Sequence, residues 1–162
     1  MTMSLTLDGV ASCMRDILAT DDTPGGRERV AGVLAEALAD PAFIDAQFAG
    51  GVSERKVLHA DAALGFCLVA HEFQGAKTSG PHDHGPSWAI YGQASGRTTM
   101  TDYEAIAPGK VRALRSYEMK PGDVHLYNEG DIHAPSRLAS TRLLRVEGTD
   151  LSAVPRQSYV VA

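Results

Sequence analysis

The apolar positions of this chain fall into two rhythms. Before residue 50 they recur at helical spacing: Leu7, Val10, Met14, Ile17 and Leu18 share one face of an amphipathic segment. The breaker Asp21-Asp22-Thr23-Pro24-Gly25-Gly26 follows, and then Val30, Val33, Leu34, Ala37 and Leu38 repeat the pattern. Thr23 before Pro24 reads as an N-cap with proline at the first helical position. Asp40-Pro41 repeats that signal ahead of Phe43, Ile44 and Phe48. The pattern predicts three short helices.

From Gly50 onward the rhythm shortens to that of strands. Phe66–Ala70, Ser87–Tyr91, Thr98–Tyr103, Val124–Tyr127, Arg142–Val146 and Ser158–Val161 are rich in β-branched, aromatic and aliphatic residues. Turn clusters separate them at Gly75–Pro81, Gly92–Gly96, Pro108-Gly109, Pro121-Gly122-Asp123 and Asn128–Asp131. Many short strands between regular turns predict a sandwich or barrel. The reading is a helical extension over residues 1–50 packed on a β-barrel over residues 51–162, one structural unit overall.

Composition narrows the class without naming an activity. The 162 residues suit one domain, and 44% hydrophobic content with only 6% aromatics implies an aliphatic core. Fifteen Lys and Arg against twenty Asp and Glu leave a net charge of -5, which argues against a nucleic-acid footprint. No apolar run approaches the ~20 residues of a membrane-spanning helix. Met1–Leu5 lacks the regions of a secretory signal, and two cysteines, Cys13 and Cys67, make no disulfide framework. A reducing, cytoplasmic setting is expected.

The six histidines carry the chemistry. His82-Asp83-His84 puts two imidazoles two residues apart, and on a strand such residues share a face. Imidazole is the commonest transition-metal ligand, although a lone His-X-His is more often a polar surface pair. His125 reads as a satisfied histidine that is not a ligand, and His71 and His59 are not taken as ligands. Cys67 reads as a small core residue, and Glu104 as a weakly supported ligand.

The surroundings raise the weight of the pair. Gly80, His82, His84 and Gly96, followed by Pro121-Gly122-Asp123, a strand and His133, resemble the two motifs of the cupin superfamily, the double-stranded β-helix metal proteins. The resemblance spans roughly Lys56 to Asp150. It implies a mainly β, jelly-roll barrel with a metal held by His82, His84 and His133. The motif glutamate that supplies a fourth ligand in many cupins falls near Ala89, which cannot coordinate. A three-histidine set of that kind is similar to the thiol and diketone dioxygenases. Pro81–Gly85 with Trp88, and Gly148-Thr149-Asp150-Leu151, resemble the cysteine-dioxygenase-like branch in particular. The resemblance implies Fe(II), with Zn, Ni or Cu also compatible with three imidazoles.

The resemblance breaks at the substrate. Arg145 and Glu147 stand where that branch keeps a His and a Tyr, so the Cys–Tyr crosslink has neither partner here, Ala89 and Glu147 taking both places. If their face is inward, Arg145 would hold an anionic group and Glu147 act as a base; if outward, they are a surface ion pair. Counting back from Phe66 places Lys56 where the branch keeps a carboxylate-binding Arg, and lysine lacks the guanidinium fork. Trp88 and Tyr91 are substrate-wall candidates, with barrel packing the competing reading.

The expectation is a mononuclear iron dioxygenase acting with O2 on a small anionic substrate such as a thiol acid. The alternative is a cupin isomerase, hydrolase or ligand-binding protein whose metal is indifferent to oxygen; a third is a metal-free barrel. Exposed strand edges suggest a homodimer.

Overall fold

The computed structural model describes residues 5–162; Met1–Ser4, part of the stretch read for a secretory signal, lie outside the described residues. Helices form where the longer rhythm places them: α1 (Leu7–Thr20), α2 (Pro24–Leu38) and α3 (Pro41–Phe48). Local chemistry sets their starts. Thr6 caps α1 by accepting from the Gly9 amide, and Asp40 caps α3 by accepting from Ala42 and Phe43. Pro24 opens α2 as expected, but the Thr23 hydroxyl makes no cap bond; it donates to the Asp21 carboxylate instead.

Among the described residues twelve strands follow: β1 (Lys56–Ala60), β2 (Cys67–Phe73), β3 (Lys77–Thr78), β4 (His82–Asp83), β5 (Ala89–Ser95), β6 (Thr98–Ala107), β7 (Lys110–Met119), β8 (Val124–Tyr127), β9 (Ile132–Arg137), β10 (Thr141–Glu147), β11 (Gln157–Ser158) and β12 (Val160–Val161). They form two sheets. The first runs β1-β2-β10-β5-β8, and the second runs β11-β4-β9-β6-β7-β12 with β3 beside β9. From β4 to β10 the chain passes back and forth between the sheets. This is a mainly β, jelly-roll barrel of the double-stranded β-helix kind, with three helices against it.

Side-chain parity organises the first sheet. Successive strand residues point to opposite faces. Leu68 and Ala70 of β2, Ile90 of β5, Leu126 of β8, and Leu144 and Val146 of β10 pack against the helices in one apolar cluster with Val10, Met14, Val30, Leu34 and Phe43. Their sequence neighbours, Ala89, Tyr91 and Tyr127, belong to a second cluster with Met100 and Met119, between the sheets. Both faces are therefore covered, which is why these strands read as unbroken apolar runs. Gly92 follows from the close approach of α2. A Cβ there would lie 2.9 Å from the side chains of Leu34 and Leu38.

β7 was not anticipated. Arg112 through Ser116 are all exposed, so no apolar alternation marks the strand. It is held by its ladder to β6.

Candidate metal centre

His82 and His133 are brought together by the second sheet, where β4 and β9 pair antiparallel with these two residues directly opposite. His84 reaches them by a turn. Only His82 and Asp83 are in the strand, and the chain bends at Gly85, whose φ of 60° suits a residue without Cβ. The Asp83 carboxylate fixes that bend by accepting from the Gly85 amide (2.9 Å) and the Tyr159 hydroxyl (2.7 Å). The strand placement expected for His84 is thus corrected, while the convergence of the rings stands.

One nitrogen from each of the three buried rings lies within 4.8 Å of the other two. Nδ1 of His82 is 2.9 Å from the Gly80 carbonyl, and Nδ1 of His133 is 3.0 Å from the Asp131 carbonyl. A carbonyl only accepts, so both Nδ1 atoms carry the proton and both Nε2 atoms present lone pairs. Nε2 of His82 is buried with no partner, and Nε2 of His84 and His133 are 3.1 Å apart. Burial, together with each ring's charged neighbours, holds His82 at about 4, His133 at about 3 and His84 at about 2, so all three stay neutral. Neutral imidazoles with bare, converging lone pairs are what a divalent ion requires. The residues present fit a metal.

The wall beside the histidines is cationic. A cavity of about 320 Å³ opens over His82 and His84, lined by Arg55, Lys77, Arg137, Arg145 and Arg156 against only two acids, Glu54 and Asp83. Arg145 and Glu147 face inward, sharing parity with the cavity-lining Leu143. Glu147 is fully buried and saturated. Arg55 grips it with a two-pronged fork at 2.7 and 2.9 Å, Nε of Arg145 donates at 2.8 Å, and the Leu151 amide donates at 3.0 Å. Burial alone would raise its pKa, but the Arg55 hydrogen bonds and the Arg145 charge outweigh it and hold the carboxyl at about 2. The expectation that Glu147 serves as a base is corrected: its oxygens are committed to Arg55, Arg145 and a backbone amide. It positions the two arginines.

Tyr91 joins this network to the histidines. Nη1 of Arg145 donates to its hydroxyl at 3.3 Å, and that oxygen lies 3.2 Å from Nε2 of both His84 and His133. The Tyr127 ring stacks on His133 at 3.9 Å, and its hydroxyl bonds that of Tyr117.

Two proposed wall residues lie elsewhere. Lys56 is exposed and does not line the cavity; it pairs with Ala70, a residue of the helix-facing set. Its neighbour Arg55 makes the site contacts instead, since one residue reverses the face. Trp88 shares parity with Ile90 and packs in the helix–sheet cluster, with the Arg27 guanidinium 5.3 Å from its ring. Among the non-ligand readings, His125 packs at a tilt against the rings of Tyr117 and Tyr127 and is not one of the triad, and Glu104 pairs with Arg112 at the surface. Arg137 was missed altogether. It follows His133 by four residues, so a period of two carried along β9 puts both on one face.

No protein-family profile matches the chain, and no curated protein matches its sequence. Solved structures do. A protein with a double-stranded β-helix domain from Klebsiella pneumoniae superposes with a TM-score of 0.49 at 13% identity, over 72% of this chain and 94% of that one. A cupin-2 domain protein from Shewanella frigidimarina gives 0.48 at 8% identity, over 69% and 96%. A cupin superfamily protein from Desulfitobacterium hafniense gives 0.46 at 14%, over 59% and 76%. The mainly β, jelly-roll barrel that the motifs implied rests on the chain's own two sheets; at these identities and scores none of the three carries an activity over to this chain. Among the described residues no helix is long and apolar enough to cross a membrane.

Proposed function

We propose that the protein is a mononuclear metal-dependent dioxygenase of the cupin type, using Fe(II) and O2 to oxidise a small anionic substrate such as a thiol acid. The observation that carries this reading is the convergence of three neutral imidazoles, without a carboxylate ligand, beside a cavity that His82 and His84 reach and arginines wall. His82, His84 and His133 would hold the ion. With no ligand charge to offset it, the ion keeps its full divalent charge, and Fe(II) so held supplies oxygen-binding chemistry beside the substrate.

The chain's own residues supply the rest. Arg145, fixed by Glu147, adds positive charge beside Tyr91 and favours an anion over a neutral compound. The Tyr91 hydroxyl is placed to donate a proton to an acceptor at the histidine cluster, and Arg145 holds its orientation. Tyr127 stacks on His133 and, with Ala89, Met100 and Met119, packs the barrel interior behind it.

Elemental analysis of anaerobically purified protein tests the reading, with O2 uptake measured against a panel of thiol acids and diketones. Stoichiometric iron in the wild type, its loss in His82→Ala and His133→Ala, and substrate-dependent O2 uptake are expected. Iron without O2 uptake across the panel would overturn the dioxygenase assignment. The Arg145–Glu147 pair, in place of the His and Tyr of thiol dioxygenases, favours a second reading as a metal-dependent isomerase or hydrolase. Zinc or nickel with oxygen-independent turnover would select it.

A further inference from the structure

Arg137 is a buried cation with no counter-ion. It is 4% exposed, yet no carboxylate among the described residues lies within ion-pair distance. Its Nε donates to the Thr98 hydroxyl at 3.1 Å, and its guanidinium lies 4.8 Å from the centre of the Phe73 ring. The two terminal nitrogens have no protein partner among the described residues, and the residue lines the cavity. On β3, Lys77 is paired directly opposite Arg137, and its ammonium is taken up by Glu54 at 2.9 Å, which leaves that carboxylate committed away from Arg137. Like charges facing across a ladder are unfavourable, and a buried unpaired charge is costly. Burial already pulls the Arg137 pKa down to about 10. The other arginines at the site differ: Arg55 and Arg145 spend their forks on Glu147, and Arg156, without a carboxylate partner among the described residues, is exposed to solvent.

His71 sits between these two ends. On β2 it pairs with Leu143, between Val69, opposite Arg145, and Phe73, beneath Arg137. Its Nδ1 is 2.7 Å from the Glu54 carbonyl and must donate, so Nε2 is a bare acceptor, buried and without a partner. Along β9, Arg137 stands four residues from His133, about 13 Å of strand at the usual rise. The cavity thus offers, in order, a metal-binding floor, an unpaired acceptor and an unpaired guanidinium fork over an aromatic ring.

We propose that Arg137 anchors the substrate's carboxylate at the end of the cavity remote from the histidines, so that the substrate is an elongated carboxylate and not a compact acid chelating the ion through both groups. The fork supplies two parallel donors of the geometry a carboxylate takes. His71 accepts from a hydroxyl or N–H midway along the molecule, and Phe73 and Leu143 cover its apolar stretch. The proposal rests on reading the cavity as a substrate site beside a metal, but the anchor itself needs no metal.

The test uses the full-length protein stripped with a chelator, with hexanoate and hexanamide as probes in calorimetric titration. Wild type is expected to bind hexanoate at least ten-fold more tightly than hexanamide. Arg137→Gln should abolish that preference, and Arg137→Lys, which keeps charge without the fork, should retain part of it. Arg137→Gln should still bind metal, whereas His133→Ala should lose metal and keep the hexanoate preference, so failure of the anchor and failure of the metal reading are separable. Equal binding of both probes by wild type, or an undiminished preference in Arg137→Gln, overturns the proposal. If Arg137→Gln does not fold, the wild-type contrast and Arg137→Lys decide: a Lys variant with the full preference would equally overturn it.

Discussion

The two sheets face the same cavity but live in different solvents. The β2-β10-β5 sheet is covered on both sides, by helices outside and by the barrel interior within, and almost all of its central residues are buried. The outer face of β6 and β7 meets water, and most of β7 is exposed. The covered sheet carries charge inward only where that charge is paired, as at Arg145 and Glu147. The solvated sheet brings in His82, whose Nε2 has no partner among the described residues, and, one end further, Arg137; the covered sheet brings in His71, whose Nε2 is likewise bare. At the cavity, the ion pair of Arg145 and Glu147 therefore sits on the covered sheet, while unmet valence reaches the ligand space from both sheets.

Glu147→Ala should break this contrast hardest. It leaves Arg145 and Arg55 without their shared carboxylate, and losing one partner of a buried pair costs about 3–5 kcal/mol. Chemical denaturation would read the loss. Leu144→Ala, on the helix side of the same sheet, removes a fully buried side chain and should cost about 2–5 kcal/mol by the same measurement.

Acid sharpens the comparison from the other side. His71, His82, His84 and His133 are held near or below 4, against 6.5 when unfolded. A base held neutral by burial stabilises the fold above its unfolded pKa and loses that stabilisation as pH falls toward the folded value. Metal-free protein should therefore weaken from pH 6.5 down toward about 4, by up to about 1.4 kcal/mol per pH unit for each histidine. Glu147, also lowered, adds its loss only between 4.5 and about 2. Denaturation midpoints that stay flat between pH 7 and 5 would contradict the buried, neutral state. The smallest effect belongs to Leu114→Ala: that side chain is 57% exposed on β7, and the change should stay within about 0.5 kcal/mol.

How far the sequence could be read follows the same divide. The barrel and its three histidines were legible because glycine and proline turns fix the ends of short strands and the His-X-His pair lies beside one of them. Arg145 and Glu147 were legible as a pair sharing one face, but which face needed the helices in place. Lys56 was one residue off because ungapped counting from Phe66 ignores the register shift between Val57 and His59 in the β1–β2 ladder. Trp88 and Tyr91, three apart, sit on opposite faces of their strand, so only one could reach the cavity. Arg137 escaped because the strand was followed up to His133 and no further. β7 escaped because its buried apolar residues, Val111 and Met119, stand only at its ends and the stretch Arg112–Ser116 between them is exposed, leaving no alternation to read.

The position of β10 between β2 and β5 has a consequence for synthesis. The surface that receives α1, α2 and α3 is incomplete until Thr141–Glu147 has been made, although the helices themselves emerge first. Local turns of helix can form early, but closing this sheet joins Phe73 to Thr141 across a long stretch of chain. Throughout that interval the apolar stripe of Val10, Met14, Val30 and Leu34 lacks the cover of Leu144 and Val146, and apolar surface left open in this way is where a nascent chain is prone to associate.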